Sequence, residues 1–142
     1  MKTFTLKSKD IKRDWYVIDA AGKPLGRVAA KVASVLMGKN KATWTRHIDD
    51  GDFVVVINAD KAILTGRKAA VKNFFHYSGY QGGLRVTTYK QMMDTKPTFP
   101  LYQAVKGMLP KNNMSRRVIR KMTLVEGAEH NVKNVTLKPL EI

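Results

Sequence analysis

Asp14-Trp-Tyr-Val-Ile-Asp-Ala20, Gly22-Lys-Pro-Leu-Gly26 and Phe53-Val-Val-Val-Ile57 are the segments that decide the fold. The first and last are short apolar runs rich in β-branched and aromatic residues, the pattern of strands buried on both faces. Between them, the glycine- and proline-bearing segment turns the chain into a helix. Leu25, Val28, Ala29, Val32, Ala33 and Leu36 fall on one side of that helix, with Arg27, Lys31 and Ser34 on the other. Gly38 is placed to stop it, and a polar, basic loop from Lys39 to His47 follows. Ala62-Ile-Leu64, closed by Thr65-Gly66, reads as a third strand. Strand, helix and strand with unbroken apolar runs predict a βαβ unit in a largely parallel sheet.

The second half reads as more helical. Asn73 to Tyr77 is aromatic and strand-like, and it ends in Gly79 and Gly82-Gly83, read as a tight loop from strand to helix. Thr88 and Gln91 have capping-box spacing and start a short helix stopped before Pro97. Thr98 is placed to cap another, with Leu101, Ala104, Val105 and Met108 on its apolar side and Pro110 ending it. Met114 to Met122 is a third helix, followed by the strand-like Thr123-Leu-Val125. No repeat, low-complexity tract or linker interrupts the chain. Residues 1–142 therefore read as one α/β domain, with an N-terminal extension over 1–13 and a C-terminal tail over 127–142.

A chain of 142 residues with 44% hydrophobic content has enough apolar side chain for a packed core. The absence of cysteine excludes disulfide scaffolds, zinc-thiolate fingers and cysteine nucleophiles. The longest fully apolar run is Phe53 to Ile57, too short to span a membrane. Met1 to Arg13 lacks the apolar stretch of a secretory signal. A soluble, intracellular protein is expected. Its 26 Lys and Arg against 11 Asp and Glu give a net charge of +15. No acid occurs between Asp19 and Asp49, between Asp60 and Asp94, or between Asp94 and Glu126. A single-sign field of that extent repels itself, and a phosphate backbone offsets the repulsion by releasing counterions.

The strongest local signal is the helix from Met114 to Met122. At 100° per residue, Met114, Val118, Ile119 and Met122 fill one arc and Arg116, Arg117, Arg120 and Lys121 the opposite one. The apolar arc packs inward, and the basic arc is displayed with no acid beside it. Arginine forks onto phosphate oxygens and stacks on bases, which suits RNA. In Lys39-Asn-Lys-Ala-Thr-Trp-Thr-Arg-His47, Trp44 is either a stacking platform among cations or a lid on the sheet edge. Gly79 to Gly83, after His76 and Tyr77, either admits a sugar-phosphate backbone closely or is a plain turn. His47, Asp49, Asp50 and Asp52 are the acidic cluster next to a histidine, and metal-dependent nucleases use such groups. Asp and Gly are equally expected in a turn entering a strand. The order of a P-loop and the Gly-x-Ser-x-Gly elbow are both absent.

Lys12 to Asn131 resembles the large-subunit ribosomal protein thirteen family, bacterial type. The segments that carry the resemblance are Asp14-Trp-Tyr-Val-Ile-Asp19, Gly22-Lys-Pro-Leu-Gly-Arg27, Gly51-Asp-Phe-Val-Val-Val-Ile-Asn-Ala-Asp-Lys61 and Val105-Lys-Gly-Met-Leu-Pro110, with Ser115, Arg116 and Lys121 after them. The resemblance implies a three-layer α/β/α sandwich around a mainly parallel, about four-stranded sheet, with a basic helical C-terminal part. It also implies binding to large-subunit ribosomal RNA early in assembly, among neighbouring ribosomal proteins, without catalysis. The chain departs from the family pattern at Arg46, usually proline, at Asn112-Asn113, usually Gly-Pro, and at Ser115, usually glycine. The histidine-rich pattern after Glu129-His-Asn131 is also eroded.

The expected RNA contacts are Lys39, Lys41, Trp44, Arg46 and His47 in the first loop, Lys68 beyond it, and His76 and Tyr77 at the glycine loop. Lys106, Lys111, Arg116, Arg117, Arg120 and Lys121 complete them in the C-terminal helical part. No catalytic residue, metal, cofactor, membrane or small-molecule substrate is expected. The alternative functions are a metal-dependent nuclease using the His47–Asp52 cluster and a translational repressor binding messenger RNA.

Overall fold

A computed structural model describes residues 5–133 and 135–141. Residues 1–4 of the expected N-terminal extension, and 134 and 142 of the expected tail, lie outside the described residues. The elements in chain order are β1 (Trp15–Asp19), α1 (Leu25–Leu36), β2 (Phe53–Ile57), α2 (Lys68–Val71), β3 (Asn73–Tyr77) and β4 (Leu84–Thr88). They continue with α3 (Tyr89–Thr95), α4 (Phe99–Met108), α5 (Asn113–Val118), β5 (Met122–Leu124) and β6 (Leu137–Pro139).

Strands β5, β2, β1 and β6 lie side by side in that order, and each neighbouring pair is parallel. In the central pair Trp15 sits beside Phe53 and Asp19 beside Ile57. Alternate residues of a strand face opposite sides. Tyr16, Ile18, Val54 and Val56 therefore join the core with α1. Val55 is fully buried on the opposite face, where the Trp15 and Phe53 rings stack at 4.4 Å. Seven residues of α1 are buried, from Leu25 to Leu36, each large side chain contributing roughly 1.5–3 kcal/mol by leaving water. Helix α4 packs against α1 and buries Leu101 and Val105. The βαβ unit, the parallel sheet and the flanking helices place the chain in the expected α/β class, consistent with a three-layer α/β/α arrangement. Gly38, at φ +75°, closes α1 by donating its N–H to the Val35 carbonyl at 2.9 Å.

Several elements differ from expectation. Ala62–Leu64 is not a strand; Ile63 forms one bridge with Pro24. A left-handed Asn58 and a 3₁₀ turn at Ala59–Lys61 swing this segment toward the loop before α1. There Leu25 N–H donates to the Ile63 carbonyl at 2.9 Å. The glycine loop joins two strands rather than strand and helix, because Leu84–Thr88 pairs antiparallel with β3. The last core strand runs Met122–Leu124, one residue earlier than the sequence pattern suggests, and the tail supplies β6 at the sheet edge. Met108 is exposed, and the next residue, Leu109, takes the buried place at the end of α4. The capping box is as expected: Thr88 Oγ1 accepts from Gln91 N–H and Gln91 Oε1 from Thr88 N–H. Thr98 makes no capping hydrogen bond, and Pro100 in the first turn removes one of the free donors instead.

Candidate nucleic-acid interface

The basic C-terminal part is built by two short helical pieces around a turn. Helix α4 stops at Leu109 and Pro110, and Asn112 opens α5 with an extended backbone. Asn112 Oδ1 accepts from the backbone N–H and from the hydroxyl of Ser115, both at 2.9 Å. Two of the positions at which the chain departs from the family pattern thus form a helix cap of their own.

Helix α5 is one and a half turns long and passes into a 3₁₀ turn at Ile119–Lys121. Val118 is buried, Met114 and Ile119 are half-buried against the core, and Arg116, Arg117 and Arg120 are exposed. None of these three arginines has an acidic partner among the described residues. Lys121 does not join them. Side chains three apart eclipse each other in a 3₁₀ turn, so Lys121 follows Val118 inward and is 7% exposed. Its ammonium lies 2.5 Å from Asp49 Oδ1 and donates to the Gly51 carbonyl at 2.9 Å. Burial holds its pKa below the ordinary lysine value, opposed by the Asp49 carboxylate.

Lys41 is likewise turned inward. It donates to the carbonyls of Lys12 and Asp50 at 2.6 and 2.8 Å and pairs with Asp52 at 2.6 Å. Asp52 is fully buried and also accepts the Asp14 N–H at 2.9 Å. Asp50 accepts the Thr43 hydroxyl, and Asp49 faces both Lys121 and Arg13. The acidic cluster thus fastens the loop, the N-terminal segment and the end of the 3₁₀ turn to the sheet. His47 is exposed beside it. Among the described residues no three His, Asp or Glu side chains are placed to hold a metal ion.

Two open cavities flank the turn and share Leu109, Pro110, Asn112 and Ser115 as their common ridge. One, about 500 Å³, runs between α4 and α5 and is lined by Tyr102, Lys106, Lys111, Arg116, Ile119 and Arg120. The other, about 390 Å³, lies between α5 and the first loop and includes Lys39, Trp44 and Arg46. Seven of the expected contacts meet here. The structure leaves the others elsewhere: Lys68 on α2 lines a shallow cleft with Arg27, and His76 and Tyr77 are exposed on the β3–β4 hairpin. Arg117 is exposed on α5 outside both cavities, as His47 is on the loop. Tyr102 lines the cavity between α4 and α5 without having been expected there; its spacing of four from Lys106 on one helix is the available signal.

A family profile described as Ribosomal protein L13 matches residues 13–131. The chain belongs to the Ribosomal protein L13 family. A protein of Caldanaerobacter subterraneus subsp. tengcongensis named "Large ribosomal subunit protein uL13" is 54% identical over 139 residues, 98% of this chain and 96% of its own length. Proteins of the same name are 51% identical in Thermoanaerobacter sp. (strain X514), with the same coverage, and 52% identical in Tolumonas auensis, over 92% of both chains. The family is one of ribosomal structural proteins and not of enzymes, and nothing in the site supports the nuclease alternative.

Proposed function

We propose that this chain is a structural constituent of the large ribosomal subunit, in the cytoplasm, that holds ribosomal RNA by its phosphate backbone and supports early subunit assembly. Over its whole length it acts as one ribosomal-protein domain, with ribosomal RNA and neighbouring large-subunit proteins as its partners. The observation that carries this reading is the exposed arc of Arg116 and Arg117 on α5 and Arg120 in the 3₁₀ turn after it, none with an acidic partner among the described residues, beside a groove that adds Lys106 and Lys111. An unpaired basic arc is costly in isolation and favourable against phosphate. The contacting set is Lys39, Arg46, His47, Lys106, Lys111 and the three arginines, with Lys68 on α2 and His76 and Tyr77 on the hairpin as outlying contacts. Lys41 and Lys121 position the site from inside rather than touch RNA. Phosphate contacts carry no sequence information, so selectivity comes from RNA shape and from bases that stack.

A filter-binding titration against large-subunit ribosomal RNA tests the reading. With about six phosphates engaged, log K falls against log salt with a slope of roughly −4 to −5. A chain that binds this RNA with almost no salt dependence overturns the mechanism.

A further inference from the structure

We infer that the cavity between α5 and the first loop is a pocket for a single unpaired RNA base, separate from the phosphate groove on the other side of the ridge. The inference rests on the RNA-binding reading and adds a second kind of contact to it. At about 390 Å³ the cavity is at the small end of clefts that take one small molecule, roughly 300–1,000 Å³. Met37, Ile48, Leu109, Met114 and Val118 make its walls mostly apolar. Trp44 also lines it and keeps 39% of its surface exposed, so the indole neither seals the sheet edge nor is itself sealed. Lys39 and Arg46 stand exposed at its margin.

The charge settles the class of occupant. Two of the three acid-free stretches, 20–48 and 95–125, meet in this cavity. Asp49, the one acid among the described residues that line it, is neutralised by Lys121 at 2.5 Å and faces Arg13 at 3.6 Å. The cavity thus joins a flat aromatic and apolar interior to a cationic margin. A nucleotide has the matching halves, a flat base and an anionic phosphate. The shared ridge of Leu109, Pro110, Asn112 and Ser115 lets one strand cross, its phosphates on Lys106, Arg116 and Arg120 and one base turned over the ridge onto Trp44. Stacking on an aromatic side chain is the usual way proteins hold an unstacked base.

The chain has two tryptophans, and Trp15, stacked on Phe53, can be replaced by phenylalanine with the ring pair kept. In the full-length Trp15→Phe chain Trp44 is then the sole indole reporter. Titrated with a large-subunit ribosomal RNA transcript, its emission should be quenched in step with binding measured on filters. In the parent background, Trp44→Ala should bind the same transcript about tenfold more weakly at every salt concentration, with the salt slope unchanged. Trp44→Phe should recover most of that loss, and circular dichroism should show all three variants folded. An indole that stays unquenched while RNA is bound, or a folded Trp44→Ala chain that binds as tightly as its parent, overturns the pocket and leaves the phosphate reading standing. A parent chain that does not bind the transcript overturns both.

Discussion

Lys121 Nζ and Asp49 Oδ1 lie 2.5 Å apart beneath the surface that displays the arginines. The pair ties the end of the 3₁₀ turn to the loop before β2, and the ammonium also donates to the Gly51 carbonyl. Lys121 is the buried partner, whereas Asp49 is partly exposed and keeps Arg13 at 3.6 Å, so the group left without its donor when Lys121 is removed is the Gly51 carbonyl. Lys121→Met should therefore lower unfolding free energy by about 1–3 kcal/mol, measured by guanidinium denaturation. RNA affinity per folded molecule should change little. A variant as stable as its parent but weak in RNA binding would show that Lys121 reaches RNA after all.

Gly51 lies in the same knot. A methyl group there would overlap the Leu36 carbonyl and sit 2.8 Å from Lys121 Nζ. The obstacle is backbone, which cannot rotate aside as a side chain does. Gly51→Ala should cost more than about 3 kcal/mol, or leave the chain unable to fold at 37 °C. Gly26→Ala, where a Cβ meets nothing within 4 Å, is the matched control and should be well tolerated.

Arg116, Arg117 and Arg120 are exposed and unpaired among the described residues, so their removal should be felt by RNA and not by the fold. The triple alanine variant should flatten the salt slope by as much as about 2.7, roughly 0.9 for each phosphate no longer neutralised. Its melting temperature should stay close to that of the parent. A large fall in melting temperature would make these arginines structural.

Asp52 is fully buried and holds the Asp14 N–H and the Lys41 ammonium. Asp52→Ala should lose about 3 kcal/mol of stability, read from denaturant melts. RNA incubated with Mg²⁺ and either chain should remain intact. Fragments made by the parent and absent with the variant would restore the nuclease reading.

Asp19 accepts hydrogen bonds from Ala21 N–H at 3.0 Å and from Asn58 Nδ2 at 2.9 Å. These bonds, the backbone one foremost, favour the carboxylate and hold its pKa below the ordinary aspartate value. The stability this provides is complete above about pH 4 and is lost as pH falls through the lower folded-state value. Asp19→Asn should thus show a shallower loss of melting temperature on acidification than the parent. The difference should be small, because Asp19 is exposed.

The parts legible from sequence are those in which burial writes a period. The unbroken runs of β1 and β2 and the stripe of α1 are dictated by the two sides they bury. Leu84-Arg-Val-Thr-Thr88 buries no residue, so no alternation marks it as a strand. Leu137-Lys-Pro139 is a three-residue edge strand, and proline is tolerated there because an edge need not donate on its outer side. Lys121 escapes a sequence reading because a constant 100° step cannot be carried through a segment that tightens to 3₁₀ geometry. Lys41 escapes it because its partners, Asp50 and Asp52, come from across a loop, where no spacing rule links them. Arg116 and Arg117 lie on the exposed side expected of them because α5 extends far enough to sort them, and Arg120 is exposed from the 3₁₀ turn that follows.

The strand order β5-β2-β1-β6 has a consequence for the timing of folding. The two inner strands and the helix between them lie within residues 15–57 and close a short loop. Both outer strands come from residues 122–139, and β6 must return across more than a hundred residues to pair with Trp15. Distant closures are slow. During synthesis, the centre of the sheet is therefore complete while its margins are still unmade. The arginine segment, which runs directly into β5, gains its fixed seat only near the end of that sequence. Competence to grip RNA thus arrives late, as one of the final events of the chain's own maturation.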